Sequence, residues 1–159
     1  MRRNSLLGLL VPLLVVLHFL LHVGFSMEGA APDLLTLALL LAARETGMGW
    51  AGAFGFFFGL LEDAFSVLAF GASSLAMTVV GVLGSRTRDL FVGDSLFFLF
   101  VYFALGKLLR DSIHWVVAGE VVRGSFLTTV IFDGGIAALY MASMGLVLAL
   151  ILGSHRALR

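Results

Sequence analysis

The sequence predicts an all-α integral membrane protein, a bundle of six transmembrane helices. Three observations predict it. Of the 159 residues, 60% are hydrophobic and 13% charged, whereas soluble domains run at about 45–50% apolar and about 25% charged. The mean hydropathy is +1.08, and a soluble domain so composed would carry large exposed apolar patches. Apolar runs approaching the length needed to cross about 30 Å of hydrocarbon recur along the whole chain. Together these exclude a cytosolic enzyme, a nucleic-acid-binding module and a disordered protein. The 10 basic and 10 acidic residues cancel, so no bulk charge attracts nucleic acid. With no cysteine, disulfides, thiolate nucleophiles and cysteine metal sites are excluded. Too little chain lies outside the apolar runs for a separate soluble domain, so residues 1–159 read as one polytopic domain.

The first span is expected over 6–25. Arg2 and Arg3 precede it, as in a signal peptide. The run is long for a signal, holds Pro12, His18 and His22, and is followed by no clear small-x-small site, so a retained span is expected. The second, over 30–43, is short in its apolar part, Leu34 to Ala43, and needs Ala30 to Asp33 to reach the interface. The third, over 47–61, is also short and is peppered with Gly47, Gly49, Gly52, Gly55 and Gly59 among phenylalanines. The fourth covers 64–84 and the fifth 95–109. The sixth, over 126–152, is long enough to require tilting or projection.

A re-entrant hairpin could replace the second and third spans. It would bury Arg44 and Glu45 at roughly 2.5–3.5 kcal/mol each, and two true crossings avoid that. Six crossings also separate the charges. Arg2, Arg3, Arg44, Arg86, Arg88, Arg156 and Arg159 fall on one side; Lys107, Arg110 and Arg123 fall on the other with Glu28, Asp33, Glu62, Asp63, Asp111 and Glu120. The side rich in arginine is the cytoplasmic one, so both termini are placed there. The stretch Asp111 to Gly124 mixes apolar and charged residues. It reads either as an outer-surface piece with Trp115 at the headgroup level or as a hydrophobic loop packed on the bundle.

Few residues stand out chemically. Gly55 and Gly59, four apart with Gly52 on the same side, let two helix backbones approach closely; they serve packing inside the bundle or a docking face for another protein's helix. Pro32 and Asp33 suit the first turn of the second span, where a carboxylate meets free amides and the positive end of the dipole. Asp63, after Glu62, can cap the helix that follows, and the two acids could instead bind a cation. Asp133 lies about 10 Å into the last run; it is expected at the interface or paired with Lys107 or Arg110. His18 and His22 share a face of the first span, but no third metal ligand accompanies them. No phosphate-binding loop, nucleophile elbow or nucleophile with an evident base is present. No catalytic residue, metal or cofactor is expected.

The middle of the chain reads Pro32-Asp33-Leu34-Leu35, an apolar run and Arg44, then Gly55-Phe-Phe-Phe-Gly59-Leu-Leu-Glu-Asp63, Gly71, and an apolar stretch closing on Gly84-Ser85-Arg86. This resembles the bacterial rod shape-determining protein MreD family, with its Pro-Asp-Leu-Leu opening and Gly-x-x-x-Asp ending. The likeness covers Ala31 to Arg86; Glu62 stands where the family more often has an aliphatic residue. The resemblance implies a non-enzymatic scaffold of the cell-elongation machinery (the elongasome) in the bacterial inner membrane. It implies binding to MreC, a single-span protein with a periplasmic domain, alongside MreB and the peptidoglycan synthase complex. It also implies a fold similar to the six-helix substrate-binding subunits of energy-coupling-factor transporters. On that reading the partner's helix is expected in a groove at Gly55, Gly59 and Phe58, with Pro32, Asp33 and Asp63 fixing the outer helix ends. The fold similarity leaves a rival, a small-molecule-binding membrane subunit of a vitamin or metabolite transporter. The scarcity of polar residues inside the spans counts against it, and the lack of any clustered acid, base or metal site counts against a third reading, an intramembrane enzyme acting on lipid.

Overall fold

The computed structural model describes residues 2–24, 32–66, 69–87, 95–119 and 124–157, with the backbone alone for 2–7, 23–24 and 152–157. Among them there are six α-helices and no strand. α1 spans Arg2–Phe19 and runs on into a wider π-helical turn, Leu20–Gly24. α2 is Leu34–Glu45, α3 Met48–Asp63, α4 Ala72–Thr87 and α5 Leu96–Val117. α6, Gly134–Ala157, is preceded by a π-helical stretch, Leu127–Asp133. Glu28, Arg88, Glu120, Arg123 and Arg159, used above in the charge distribution, lie outside the described residues, as do the outermost ends of the first two expected spans.

α2 is the centre of the bundle. Every residue from Leu34 to Ala43 is buried, and α1, α3, α4, α5 and α6 all pack against it. Its leucines sit in notches made by glycines on three neighbours. A Cβ on Gly84 of α4 or Gly106 of α5 would meet the Leu40 side chain at 3.3 and 2.6 Å, and one on Gly145 of α6 would meet Leu37 at 2.9 Å. The Tyr102 hydroxyl of α5 donates to the Leu40 carbonyl at 3.0 Å, so a buried phenol is satisfied in an apolar core. Phe103, Met77, Val80 and Met141 complete that core.

α3 and α4 form the closest pair. Cβ atoms built on Gly55 and Gly59 would lie 2.2 Å from the Met77 carbonyl oxygen and 2.4 Å from the Ser74 Cα; one on Gly81 would lie 2.3 Å from the Ala51 carbonyl oxygen. No side chain fits between these backbones, and small residues here do what they do in membrane bundles generally.

The helices alternate in direction. The end of α3 and the start of α4 meet at one end of the bundle, where Asp63 bonds Ser73 and Ser74. At the opposite end the Ser85 hydroxyl of α4 donates to Thr46, at the α2–α3 junction, at 2.7 Å.

Two boundaries differ from the expected spans. The fourth helix begins at Ala72 rather than at 64. The stretch from Ala64 to Gly71 carries Phe65 and Phe70 and so looks helical by hydropathy, but its described residues, 64–66 and 69–71, form turns and a bend rather than helix, and Gly71 adopts φ +93°, which favours glycine. The fifth helix runs past 109 to Val117, because Asp111 continues it through an i,i+4 ion pair with Lys107 at 2.6 Å. Trp115 therefore stands on α5; its indole N–H donates to the Gly124 carbonyl at 3.0 Å and its ring packs edge-on against Phe126.

One helical stretch among the described residues, Leu127–Ile151 (25 residues), is long and apolar enough by itself to cross a membrane.

Candidate functional site

The buried ion pairs among the described residues gather at the end where α2 and α4 begin and α3 and α5 finish. Asp33 precedes α2, and its carboxylate accepts from the Thr36 amide at 2.9 Å and the Thr36 hydroxyl at 2.7 Å. This is a helix N-cap, which removes an unpaired amide at the start of a buried helix. The same carboxylate lies 3.1 Å from the Lys107 ammonium of α5. Lys107 is also 2.6 Å from Asp111, which lies 3.1 Å from Arg110. Arg110 in turn pairs with Glu62, near the end of α3. Three acids and two bases thus form one chain of ion pairs linking α2, α3 and α5. Lys107 retains 8% and Arg110 11% of its side-chain exposure, so the pairs are little screened by salt.

Asp63 builds the second half of the site. It is the last residue of α3, and its carboxylate receives the Ser73 amide at 3.0 Å, the Ser74 amide at 2.9 Å and the Ser74 hydroxyl at 2.6 Å. One side chain therefore closes the first turn of the next helix. Burial alone would raise this carboxyl, but the hydrogen bonds from Ser74 and Ser73 hold it below the ordinary carboxylate value.

His18 is buried at the same end. His22 stacks on it at 4.1 Å and its Nδ1 lies 3.0 Å from the His18 carbonyl oxygen. Phe19 packs on Phe65 just beyond α3 at 5.2 Å, which fixes this end of α1 beside Glu62 and Asp63. Three buried polar atoms have no hydrogen-bond partner among the described residues: His18 Nδ1, Glu62 Oε2 and Arg110 Nε. No group of three or more His, Cys, Asp or Glu side chains among the described residues is placed to hold a metal ion.

The residues expected to bind a partner divide. Asp33 and Asp63 come together with the ion-pair chain as helix caps, and the half-buried Pro32 leads into the first of them. Gly55 and Gly59 do not line an open groove. Their faces are filled by the α4 backbone, so a docking helix would have to displace α4. Phe58 is also internal, buried and ring-stacked on Phe54 at 6.3 Å, while Phe56 and Phe57 point outward. The pairing expected between Asp133 and Lys107 or Arg110 does not form. Both bases are taken by Asp33, Asp111 and Glu62, and Asp133 is exposed.

The ion-pair chain itself was not expected from the sequence. Its sequence signals are local, Lys107 and Asp111 at i,i+4 and the adjacent Arg110 and Asp111; the links to Asp33 and Glu62 join residues distant along the chain. Compared with models of protein families, with curated proteins and with solved structures, the chain finds no match.

Proposed function

We propose that this chain is a non-enzymatic, multi-pass scaffold of the bacterial inner membrane, similar to MreD, that binds an MreC-type single-span protein and so helps regulate peptidoglycan synthesis during elongation. The proposal rests on the residues that carry the resemblance and on the surface of the bundle. The observation that carries it is that both short motifs have distinct and connected jobs. Asp33 caps α2, Gly55 and Gly59 seat α3 on α4, and Asp63 caps α4. A membrane setting is supported by the outward side chains: Leu13, Phe57, Phe97, Leu105 and Ile136 are all exposed on their helices, a surface that water would not tolerate. α2 is too short to cross a bilayer alone, but it is enclosed by protein and has no lipid to span. In this reading the ion-pair end faces the periplasm and both chain ends face the cytoplasm.

The test is co-expression with an MreC-type protein, alkaline carbonate washing of the membranes, and affinity purification in mild detergent. The chain is expected to stay in the washed membrane and to bring the partner down with it. Release by the wash would overturn the membrane reading, and a folded, membrane-bound chain that leaves the partner behind would overturn the scaffold reading.

A second reading, the small-molecule-binding subunit of a transporter, is favoured by the buried and unbonded Glu62 Oε2 and Arg110 Nε. Metabolite-dependent thermal stabilisation of the purified chain would select it.

A further inference from the structure

α6 has two unlike faces. Gly134, Ala138, Met141, Ala142 and Gly145 turn inward and are buried. Gly145 meets Phe103 of α5 and Leu37 of α2, and Gly134 meets Asp111. The opposite face carries Asp133, Ile136, Tyr140, Ser143, Val147 and Leu150, and all six are exposed. They alternate in steps of three and four, the a and d positions of two and a half heptads, which is the seam one helix offers another.

Composition distinguishes this face from the others. The exposed positions of α3 are Met48, Trp50, Phe56, Phe57, Leu60 and small residues, and those in the middle of α5 are apolar. Lipid satisfies such surfaces. The seam on α6 instead interleaves a carboxylate, a phenol and a hydroxyl with its aliphatic side chains. Ser143 bonds the Leu139 carbonyl on its own helix, but Asp133 has no basic partner among the described residues, where Lys107 and Arg110 are engaged elsewhere. The stretch Leu127–Ile151 has 25 residues and so extends about 37 Å, against about 30 Å of hydrocarbon. With its whole excess on the Asp133 side the carboxylate still lies just inside the boundary, and with the stretch centred it lies several ångströms deeper. An unpaired carboxylate there is costly in lipid. Polar side chains on a helix face are what hold membrane helices together where the hydrophobic effect gives no drive.

We propose that the outward seam of α6 is the seat of another protein's single transmembrane helix, running alongside it and presenting a basic or amide side chain to Asp133. This rests on the scaffold reading above and moves the docking face from α3 to α6.

The chain has no cysteine, so one introduced thiol is a unique reporter. Ile136→Cys, Ser143→Cys and Leu150→Cys, with Phe57→Cys and Leu105→Cys as outward controls, are each paired with single cysteines along the helix of a co-expressed MreC-type protein and oxidised in membranes. Cross-links are expected from the three α6 positions, stepping along the partner's helix in register, and not from the controls. Asp133→Leu, confirmed as folded by its elution profile, is expected to lower co-purified partner about fivefold or more. Cross-links confined to Phe57→Cys or Leu105→Cys, cross-links only between two copies of this chain, or full capture by Asp133→Leu without α6 cross-links would each overturn the seam. Failure of the unsubstituted chain to capture the partner is a separate outcome and overturns the scaffold reading as well.

Discussion

Asp33, Asp63 and Lys107 concentrate the polar energetics of the bundle, and their substitutions should be graded. Asp63→Ala removes three hydrogen bonds from the first turn of α4 and is expected to cost about 0.5–2 kcal/mol, as for other N-caps. Lys107→Met keeps the side-chain volume but strips the buried cation from two partly buried carboxylates. Arg110 still reaches Asp111, while Asp33 keeps its hydrogen bonds from Thr36 and only the more distant charge of Arg110. Breaking a buried pair on one side costs about 3–5 kcal/mol, so Lys107→Met is expected to be the more damaging change. Thermal unfolding in detergent checks the order, and equal midpoints for the two variants would contradict it. The Asp63 contribution carries a pH signature. Its folded carboxyl titrates below the ordinary value, so its stabilisation is complete at neutral pH and is lost as pH falls through that lowered value.

At the level of elements, glycine has different roles on different helices. Gly55 lies against backbone atoms of α4 that cannot move aside, whereas a Cβ on Gly135 of α6 would meet nothing within 4 Å. Gly55→Ala is therefore expected to separate α3 from α4 and lower the unfolding temperature, while Gly135→Ala is expected to be neutral or stabilising, because alanine is the better helix former. The same detergent melting series reads both, and a tolerated Gly55→Ala would show that the two backbones are farther apart than described. The sequence marked which stretches are helices well, because an apolar run bounded by Pro32-Asp33 or by Gly47 has one simple reading. It marked ends poorly where composition and geometry disagree. Phe65 and Phe70 are apolar residues in a turn, and Asp111 and His114 are polar residues within a helix. The glycine pattern gave the spacing for a close approach without naming the neighbour; α4 supplies it through Gly81 and the Met77 carbonyl.

For the molecule as a whole, alternation of helix direction follows from the six apolar runs, but the gathering of charges at one end does not. Asp33, Glu62, Lys107 and Arg110 are ordinary single charges along the chain, and only the bundle makes them one network. The enclosure of α2 has a consequence for how the protein is made. This helix has 12 residues, about 18 Å in length, and its flanks carry Asp33, Arg44 and Glu45. On the membrane reading proposed above, an insertion channel that tests each segment against lipid as it leaves the ribosome has no reason to release it there. α2 must wait for α4, α5 and α6 to be synthesised before its leucines find their glycine notches. Chains stopped after Glu45 are expected to leave α2 open to added protease, and chains continued through Ile151 to shield it; equal shielding in the short chain would mean that α2 settles unaided. α6, translated long after α2, then completes the shelter of that helix.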